Sequence, residues 1–459
     1  MSPNEAMMTQ LTKCVLIAVL VAVLPVVSLA QSEQASPAPA PGSTEEPQVQ
    51  GRGTYEPETT PLSGSQLLGL GLAGESLNVL DIGVSVHQHA DSNILAEGTD
   101  ANFRSVTSLM GTVDLNRMWK RNALNLHYAG GGSFYTGSSN VSNNTFQSIG
   151  IVQSLTWQRW TLRLGDNFSY SPYSPYSIGL GGIGYGYLSG GGNIVLHPGE
   201  VPDQTIFSSR SSRLGNTAFA NLDYAFSRRT ALTFSGSYGV LRFKEGDFFD
   251  SNQYTGGIGL SHQLTGHDSV SFNYTFSRNQ FDFLGQSFET HSPEFRYGRR
   301  ITGRLGLELW GGPQFNFFDS GPSTVRSVHG SGGGNLRYRT RRTDYWLGYH
   351  RGVRGGSGVL LGSVADTLTG GVGRDFGRNW SANLTGGYSR NRGLVTDAEF
   401  NSASGGVFVR RSLGRYMGFG LNYALQRQTG SCVTTSCLAY TRQIVGVSFD
   451  WHLKPIRLE

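Results

Sequence analysis

Charge is scarce in this chain of 459 residues, and lysine is the scarcest source of it. Asp, Glu, Lys and Arg make up 15% of the residues, against roughly 25% in an average soluble domain. Only four of the 37 basic residues are lysines, and the arginines are scattered singly or in pairs rather than in basic runs. Acidic residues nearly balance them, leaving a net charge of +5. The composition therefore argues against a nucleic-acid partner.

Long apolar runs are also missing, with one exception near the N-terminus. Residues 14–30 are apolar, follow Lys13 and end in a small-x-small sequence. This is the pattern of a signal peptide, residues 1–30, cut after Ala30; a retained single helix is the alternative. No later stretch is long enough to predict a membrane-spanning helix. An exported chain of this kind can cross a bilayer only as a closed β-barrel.

Glycine and aromatic residues are abundant instead. The chain has 64 glycines, and aromatic residues make up 11% of it. Residues 31–75 are rich in Pro, Ala, Ser and Gly and predict a flexible periplasmic linker. From about residue 76 onward, apolar and polar side chains alternate, as in residues 445–453. Such a period of two predicts β-strands with one apolar face and one polar face.

Short turns punctuate this region at eight places, near residues 119, 159, 228, 265, 300, 341, 377 and 414. Seven of them are rich in arginine and aromatic residues, and the turn near residue 265, LTGHDS, is a variant. Longer Gly-, Ser-, Asn- and Asp-rich segments lie between them. Eight short turns and nine longer loops predict an all-β fold, a transmembrane antiparallel up-and-down β-barrel of about 18 strands (range 16–20). It would span residues 76–453, with residues 454–459 as a tail. A soluble β-sandwich array or solenoid is the alternative, but the uncharged polar face favours the barrel.

One turn also carries a family resemblance. Residues 224–232, with the sequence YAFSRRTAL, resemble a recurring turn in the outer-membrane β-barrel porin family of Gram-negative-type bacteria. Some relatives in that group are associated with exopolysaccharide export. The resemblance implies insertion into the cell outer membrane by the outer-membrane assembly machinery, and it brings no catalytic residues with it.

The predicted barrel size indicates a function. An 18-strand wall encloses more space than small inward side chains can fill, which predicts a pore or conduit for small polar or anionic solutes or for exported polysaccharide. A plugged barrel whose loops bind a surface partner is the second hypothesis, and a barrel enzyme is the third. The chain contains no H-E-x-x-H, C-x-x-C or G-x-S-x-G sequence. The sequence therefore predicts no enzyme, cofactor or metal site.

Strand parity selects the candidate pore-lining residues. It points one set of polar side chains inward, namely Glu294, Arg296, Arg304, Glu308, Arg337, Arg339 and His350. Four arginines against two glutamates would leave a basic strip, and rings of arginine select anions in pores. The alternative is an arginine–glutamate ladder that braces the wall, with Arg339 in a turn.

The segment 171–213 is the longest predicted loop and is a candidate constriction if it folds inward. Folded outward, it would form a lid or a partner surface. A further possibility is an extra hairpin, in which residues 185–188 pair with residues 193–196, giving a barrel of twenty strands.

Cys432 and Cys437 lie close together in the last long loop. In an exported protein, two such cysteines predict a disulfide that restrains the loop. Peptide mapping of the folded, non-reduced protein by mass spectrometry is expected to recover them as one linked pair. Two thiols open to alkylation would contradict this prediction.

Overall fold

The strands occur where the alternating segments predict them. The computed structural model describes residues 78–94, 103–136, 143–171, 212–244, 248–281, 285–319, 324–355, 359–430, 432–433, 436–437 and 439–458. Among these residues, no helix is long and apolar enough to cross a membrane. The predicted signal peptide, nearly all of the 171–213 loop and the possible extra hairpin lie outside the described residues.

Eighteen long strands form the wall. They are β1 (Val79–Asp91), β2 (Arg104–Met118), β3 (Asn122–Thr136), β4 (Asn144–Thr156), β5 (Trp160–Ser171), β6 (Arg213–Ala225), β7 (Thr230–Phe243), β8 (Ser251–Gln263), β9 (Asp268–Phe281), β10 (Gln286–Arg300), β11 (Leu305–Asp319), β12 (Thr324–Arg339), β13 (Thr343–Arg354), β14 (Ser363–Phe376), β15 (Trp380–Gly393), β16 (Glu399–Ser412), β17 (Met417–Gly430) and β20 (Tyr440–His452).

Three short strands complete the described part of the fold. They are β18 (Cys432–Val433), β19 (Ser436–Cys437) and β21 (Ile456–Arg457). In the β18–β19 hairpin, the backbone of Cys432 lies directly opposite that of Cys437. Strand β21 lies in the predicted tail, 454–459, and pairs with the first two residues of β1.

Each long strand pairs antiparallel with its neighbours along the chain, and the last strand, β20, pairs with β1. This pairing runs from Gly83 opposite His452 to Asp91 opposite Ile444. The wall is therefore a closed barrel of 18 strands, which confirms the predicted fold and strand number.

The two ends of the barrel differ. At one end, here called the turn side, eight connections of three or four residues join the strands. Their backbone bonds are local, as where Trp119 N donates to Asn122 O at 2.7 Å. Gly377 and Gly414 adopt φ values of 75° and 102° in two of these turns, a region that glycine enters without steric cost. The strand ends that the nine other connections join lie at the opposite end, the loop side.

Exposure alternates along the strands. On β13 the large exposed side chains are Tyr345, Leu347 and Tyr349, with 42%, 49% and 43% of their surface accessible. Ser277 and Asn391, whose side chains point into the barrel, are completely buried. An outer surface of this apolar character requires a bilayer around it. A closed antiparallel barrel of even strand number, with short turns on one side and longer loops on the other, is an outer-membrane barrel. The protein accordingly resides in the cell outer membrane.

A salt bridge joins β1 and β20 at the loop-side end of the seam between them. Arg442 Nε donates to both carboxylate oxygens of Asp91, at 3.0 and 2.9 Å, and Arg442 Nη2 also donates to this carboxylate. Next to this ion pair, Ser92 N donates to Gln443 O at 2.9 Å, and Gln443 N donates to Ser92 Oγ at 2.7 Å. The salt bridge is buried, so each charge depends on the other for compensation.

Replacing one partner of this salt bridge is expected to weaken the whole barrel. Arg442→Met leaves the buried Asp91 carboxylate uncompensated, which costs about 3–5 kcal/mol in comparable buried pairs. Urea unfolding in lipid vesicles, followed by tryptophan fluorescence, measures the loss. The Asp91→Leu/Arg442→Met double variant removes both charges and should recover most of the stability. A double variant as unstable as the single one would contradict this account.

Candidate functional site: the lumen and its loop-side mouth

The inner face of the wall is polar, and its exposure changes along the barrel axis. In the loop-side half, inward side chains such as Thr290, Gln426 and Gln428 are at most 1% exposed. Near the turn side, the inward side chain of Arg337 is 54% exposed and that of Asp344 is 29% exposed. Other inward side chains near the turn side, such as Asn125 and Asp450, are only 4% and 1% exposed. Water therefore reaches the lumen at the turn side beside β12 and β13, whereas the lumen is filled towards the loop side.

Apolar side chains gather at the loop-side mouth. Five of them form a buried cluster, namely Phe281, Phe288, Phe318, Val353 and Val364. Three further side chains, Phe249, Leu361 and Leu394, come from three different loops and pack against it. The rings of Phe281 and Phe288 have centroids 6.2 Å apart, and those of Phe249 and Phe281 are 6.3 Å apart.

A second group joins walls that are far apart around the barrel. Val359 and Leu360, from the β13–β14 loop, pack with Phe400 on β16, and Phe248 from the β7–β8 loop packs against the same group. Eight strand steps separate β8 from β16, nearly half of the circumference. At ~4.8 Å between strands and a tilt of ~40°, the barrel is roughly 35 Å across. The loops therefore fold inward to meet across the mouth. We call the two groups together the mouth cluster.

Backbone contacts hold these loops together. Gly362, with φ of 89°, occupies the left-handed region that favours glycine. A Cβ atom there would lie 2.8 Å from Leu394 Cδ1 and 3.3 Å from Phe288 Cε1. Leu394 N also donates to Gly362 O at 3.1 Å. The β13–β14 and β15–β16 loops are thus fastened to one another at the mouth cluster.

One of the sequence-predicted charged groups lies within the wall. Arg296 is 4% exposed and donates to Glu294 at 3.0 Å and to Glu308 at 2.7 Å. Its guanidinium also lies 5.1 Å from the ring centroid of Trp310. The ring of His350 stacks at a tilt beside Trp310, at 6.1 Å between centroids. This arrangement braces β10, β11 and β13 from the inside.

The other predicted charges lie near the turn side. Arg337 makes two hydrogen bonds to Asp344, at 3.1 and 2.5 Å, and Arg339 reaches the same carboxylate at 3.4 Å. Arg304 does not line the pore, because it is an exposed residue of the β10–β11 turn. On this wall, three arginines therefore face three carboxylates, since Asp344 points inward with Glu294 and Glu308. The expected surplus of two positive charges is removed.

Sequence reasoning missed the mouth cluster as well as Asp344. The one local signal of the mouth cluster in the sequence was the apolar run at residues 359–361 inside an otherwise polar loop. The predicted constriction, 171–213, falls almost entirely outside the described residues and stays a prediction. Within the described ranges, no group of three or more His, Cys, Asp or Glu side chains is placed to hold a metal ion.

No family model and no curated protein matches the chain. Solved structures similar to it include Pseudomonas aeruginosa OpdK with vanillate, at 9% identity and a TM-score of 0.43, covering 83% of this chain and 100% of that one. P. aeruginosa OccK2 (OpdF) in complex with glucuronate is similar at 8% identity and a TM-score of 0.44, and the match covers 83% of this chain and 100% of that one. Acinetobacter baumannii OccAB3 is similar at 11% identity and a TM-score of 0.41, and the match covers 82% of this chain and 99% of that one. The fold assignment rests on the strand pairing and the exposed apolar face described above.

The charge balance of the turn-side vestibule predicts how selectivity responds to one substitution. Asp344→Asn removes the carboxylate shared by Arg337 and Arg339 and leaves two uncompensated cations in the lumen. We expect the reversal potential in a salt gradient to shift towards anion selectivity. Arg304→Ser, which changes charge outside the lumen, is the matched control and should leave the reversal potential unchanged. An unshifted potential for the Asp344 variant would contradict the assignment.

Proposed function

We propose that this barrel is an outer-membrane channel for small polar solutes, with a loop-side mouth that opens to let them pass. The observation that carries the proposal is the pairing of a hydrated, polar vestibule on the turn side with an apolar cluster across the opposite mouth. A lumen that is lined with polar groups but closed by loops is suited to gated or selective passage.

The lining supports small hydrophilic solutes rather than strongly charged ones. Inward side chains are mostly Ser, Thr, Asn, Gln and Gly, and their hydroxyl and amide groups can replace water around a polar solute. The balanced charges near Asp344 weaken the expected anion bias. Export of a polysaccharide remains the second transport proposal, and it would require a larger displacement of the mouth loops than a small solute does.

Conductance of the refolded protein in planar bilayers tests the proposal. Phe400→Ala removes the side chain through which the β16 wall meets the loop residues Val359 and Leu360. We expect a higher single-channel conductance or a larger open fraction, because the mouth loses part of its apolar seal. The control is Phe408→Ala, on the same strand and the same inward face but eight residues closer to the turn side. Its mouth cluster is intact, so it should conduct as the unmodified protein does.

A plugged barrel is the second candidate function. It is favoured by the complete burial of inward polar groups such as Thr290 in the loop-side half. A plugged barrel would give no steady current, and Phe400→Ala would not create one. Absence of current in both proteins would therefore reject the channel and support a structural or surface-binding role.

A further inference from the structure

The outer face of the barrel carries tyrosines in the middle and the loop-side part of its strands. Tyr274, Tyr349 and Tyr388 point outward and are 37%, 43% and 46% exposed. Their hydroxyls form hydrogen bonds to polar groups on the neighbouring strands, at 2.7 Å to His291, 2.8 Å to Asp366 and 2.9 Å to Asn401. Outward tyrosines with an apolar ring and a bonded hydroxyl are typical of the part of a membrane protein that approaches the lipid headgroups.

Arginines occupy the outer face just beyond these tyrosines. Strand β13 shows the order, with Leu347, Tyr349 and Arg351 at successive outward positions. Arg351 lies eight residues beyond Thr343, the turn-side end of its strand, and Arg278 lies ten residues beyond Asp268, the turn-side end of β9. At a rise of ~3.3 Å and a tilt of ~40°, these separations place the two side chains ~20–25 Å above the turns, at the upper edge of the apolar band.

We call the outward arginines at this level the arginine belt. It comprises Arg242, Arg278, Arg326, Arg351, Arg390, Arg392 and Arg427, on strands from β7 to β17. The same face at this level carries four carboxylates, those of Glu289, Asp319, Asp366 and Glu399. Seven cations against four anions leave a net charge of +3.

Part of this charge is compensated within the belt. Arg351 binds Asp366 at 2.9 Å, and Arg390 binds Glu399 at 2.9 Å. Arg392 reaches the same Glu399 carboxylate only at 3.5 Å, and its side chain is 62% exposed. Two cations therefore share one anion at this point.

Two other members of the belt lie further from any carboxylate. Arg326 lies over the ring of Phe317, at 5.7 Å from its centroid, and Arg427 is exposed. Among the described residues, neither makes an ion pair. Without Arg326, Arg392 and Arg427, the belt would hold four arginines against four carboxylates.

We propose that the arginine belt binds the phosphate groups of anionic lipids in the loop-side leaflet. The charge surplus lies at headgroup height on the face that contacts lipid, so a lipid phosphate is the anion that it meets. Arginine suits this partner, because its guanidinium stays charged and offers paired donors to phosphate oxygens. The belt thereby fixes the height of the barrel in the membrane and gathers anionic lipid around its outer rim.

Lipid binding by the full-length protein tests the proposal. Native mass spectrometry of the protein in detergent micelles, titrated with phosphatidic acid, measures the apparent Kd, with phosphatidylcholine as the zwitterionic comparison. The belt variant is Arg326→Gln/Arg392→Gln/Arg427→Gln, which makes the belt neutral and keeps the Arg390–Glu399 bond. The control is Arg337→Gln/Arg339→Gln/Arg341→Gln, which removes the same charge from the lumen and a short turn.

The unmodified protein and the control variant should bind phosphatidic acid more tightly than phosphatidylcholine, and the preference should weaken as salt is added. The belt variant should bind phosphatidic acid roughly a hundredfold more weakly, since each of its three lost arginines contributes about a fivefold gain at an anionic surface. Equal affinity of the belt variant and the unmodified protein would overturn the proposal, as would an equal loss in the control. If the belt instead bound an acidic protein, the belt variant and the unmodified protein would have equal affinity for phosphatidic acid, which is the first of these outcomes.

Channel activity separates this proposal from the proposed function. The belt lies on the outer face, so the belt variant should fold, as shown by heat-modifiable mobility on gels, and should conduct as the unmodified protein does. Loss of lipid preference with normal conductance supports the belt alone, whatever the solute of the channel.

Discussion

The structure depends on one requirement, which is that no backbone N–H or C=O group within the bilayer is left without a hydrogen bond. A sheet meets this requirement only if its first and last strands pair, as β1 and β20 do. Closure makes the strand number even when all neighbours are antiparallel, and it brings both ends of the wall to the turn side. It also creates one seam between strands that are far apart in sequence, and the buried Arg442–Asp91 pair lies there.

Closure then dictates where charge can stand. Because side chains alternate between the two faces, a charged residue of the wall must point inward or lie near one end of its strand, beyond the centre of the apolar band. Arg296 follows the first course and is held between Glu294 and Glu308. Arg351 and Arg390 instead lie near the loop-side ends of their strands and face outward, at the estimated height of the lipid headgroups. The bracing of the wall and the arginine belt are thus two results of the same exclusion of charge from hydrocarbon.

The sequence predicted the wall well, because the information for it is local. Alternation within a strand and the composition of each short turn are visible in windows of ten to fifteen residues, so the strand number was confirmed. The mouth was not predicted, because it depends on the meeting of Phe248 with residues on the far side of the barrel. Asp344 was missed for another reason. The prediction of inward residues compared arginines with glutamates and overlooked the aspartate at the second position of β13. This aspartate forms hydrogen bonds to both Arg337 and Arg339.

The mouth cluster and the wall are built from different kinds of interaction, and the proposed opening of the mouth depends on this difference. The wall is a continuous hydrogen-bonded ladder, which resists any change that would break several bonds together. The mouth depends on apolar contacts between loops, each of them weak and non-directional. An apolar constriction also excludes water and ions without complete steric closure. In the proposed channel, a modest displacement of the loops around Leu360 and Phe400 would therefore be enough to wet the passage, while the strand pairing that holds the barrel in the membrane would stay unchanged.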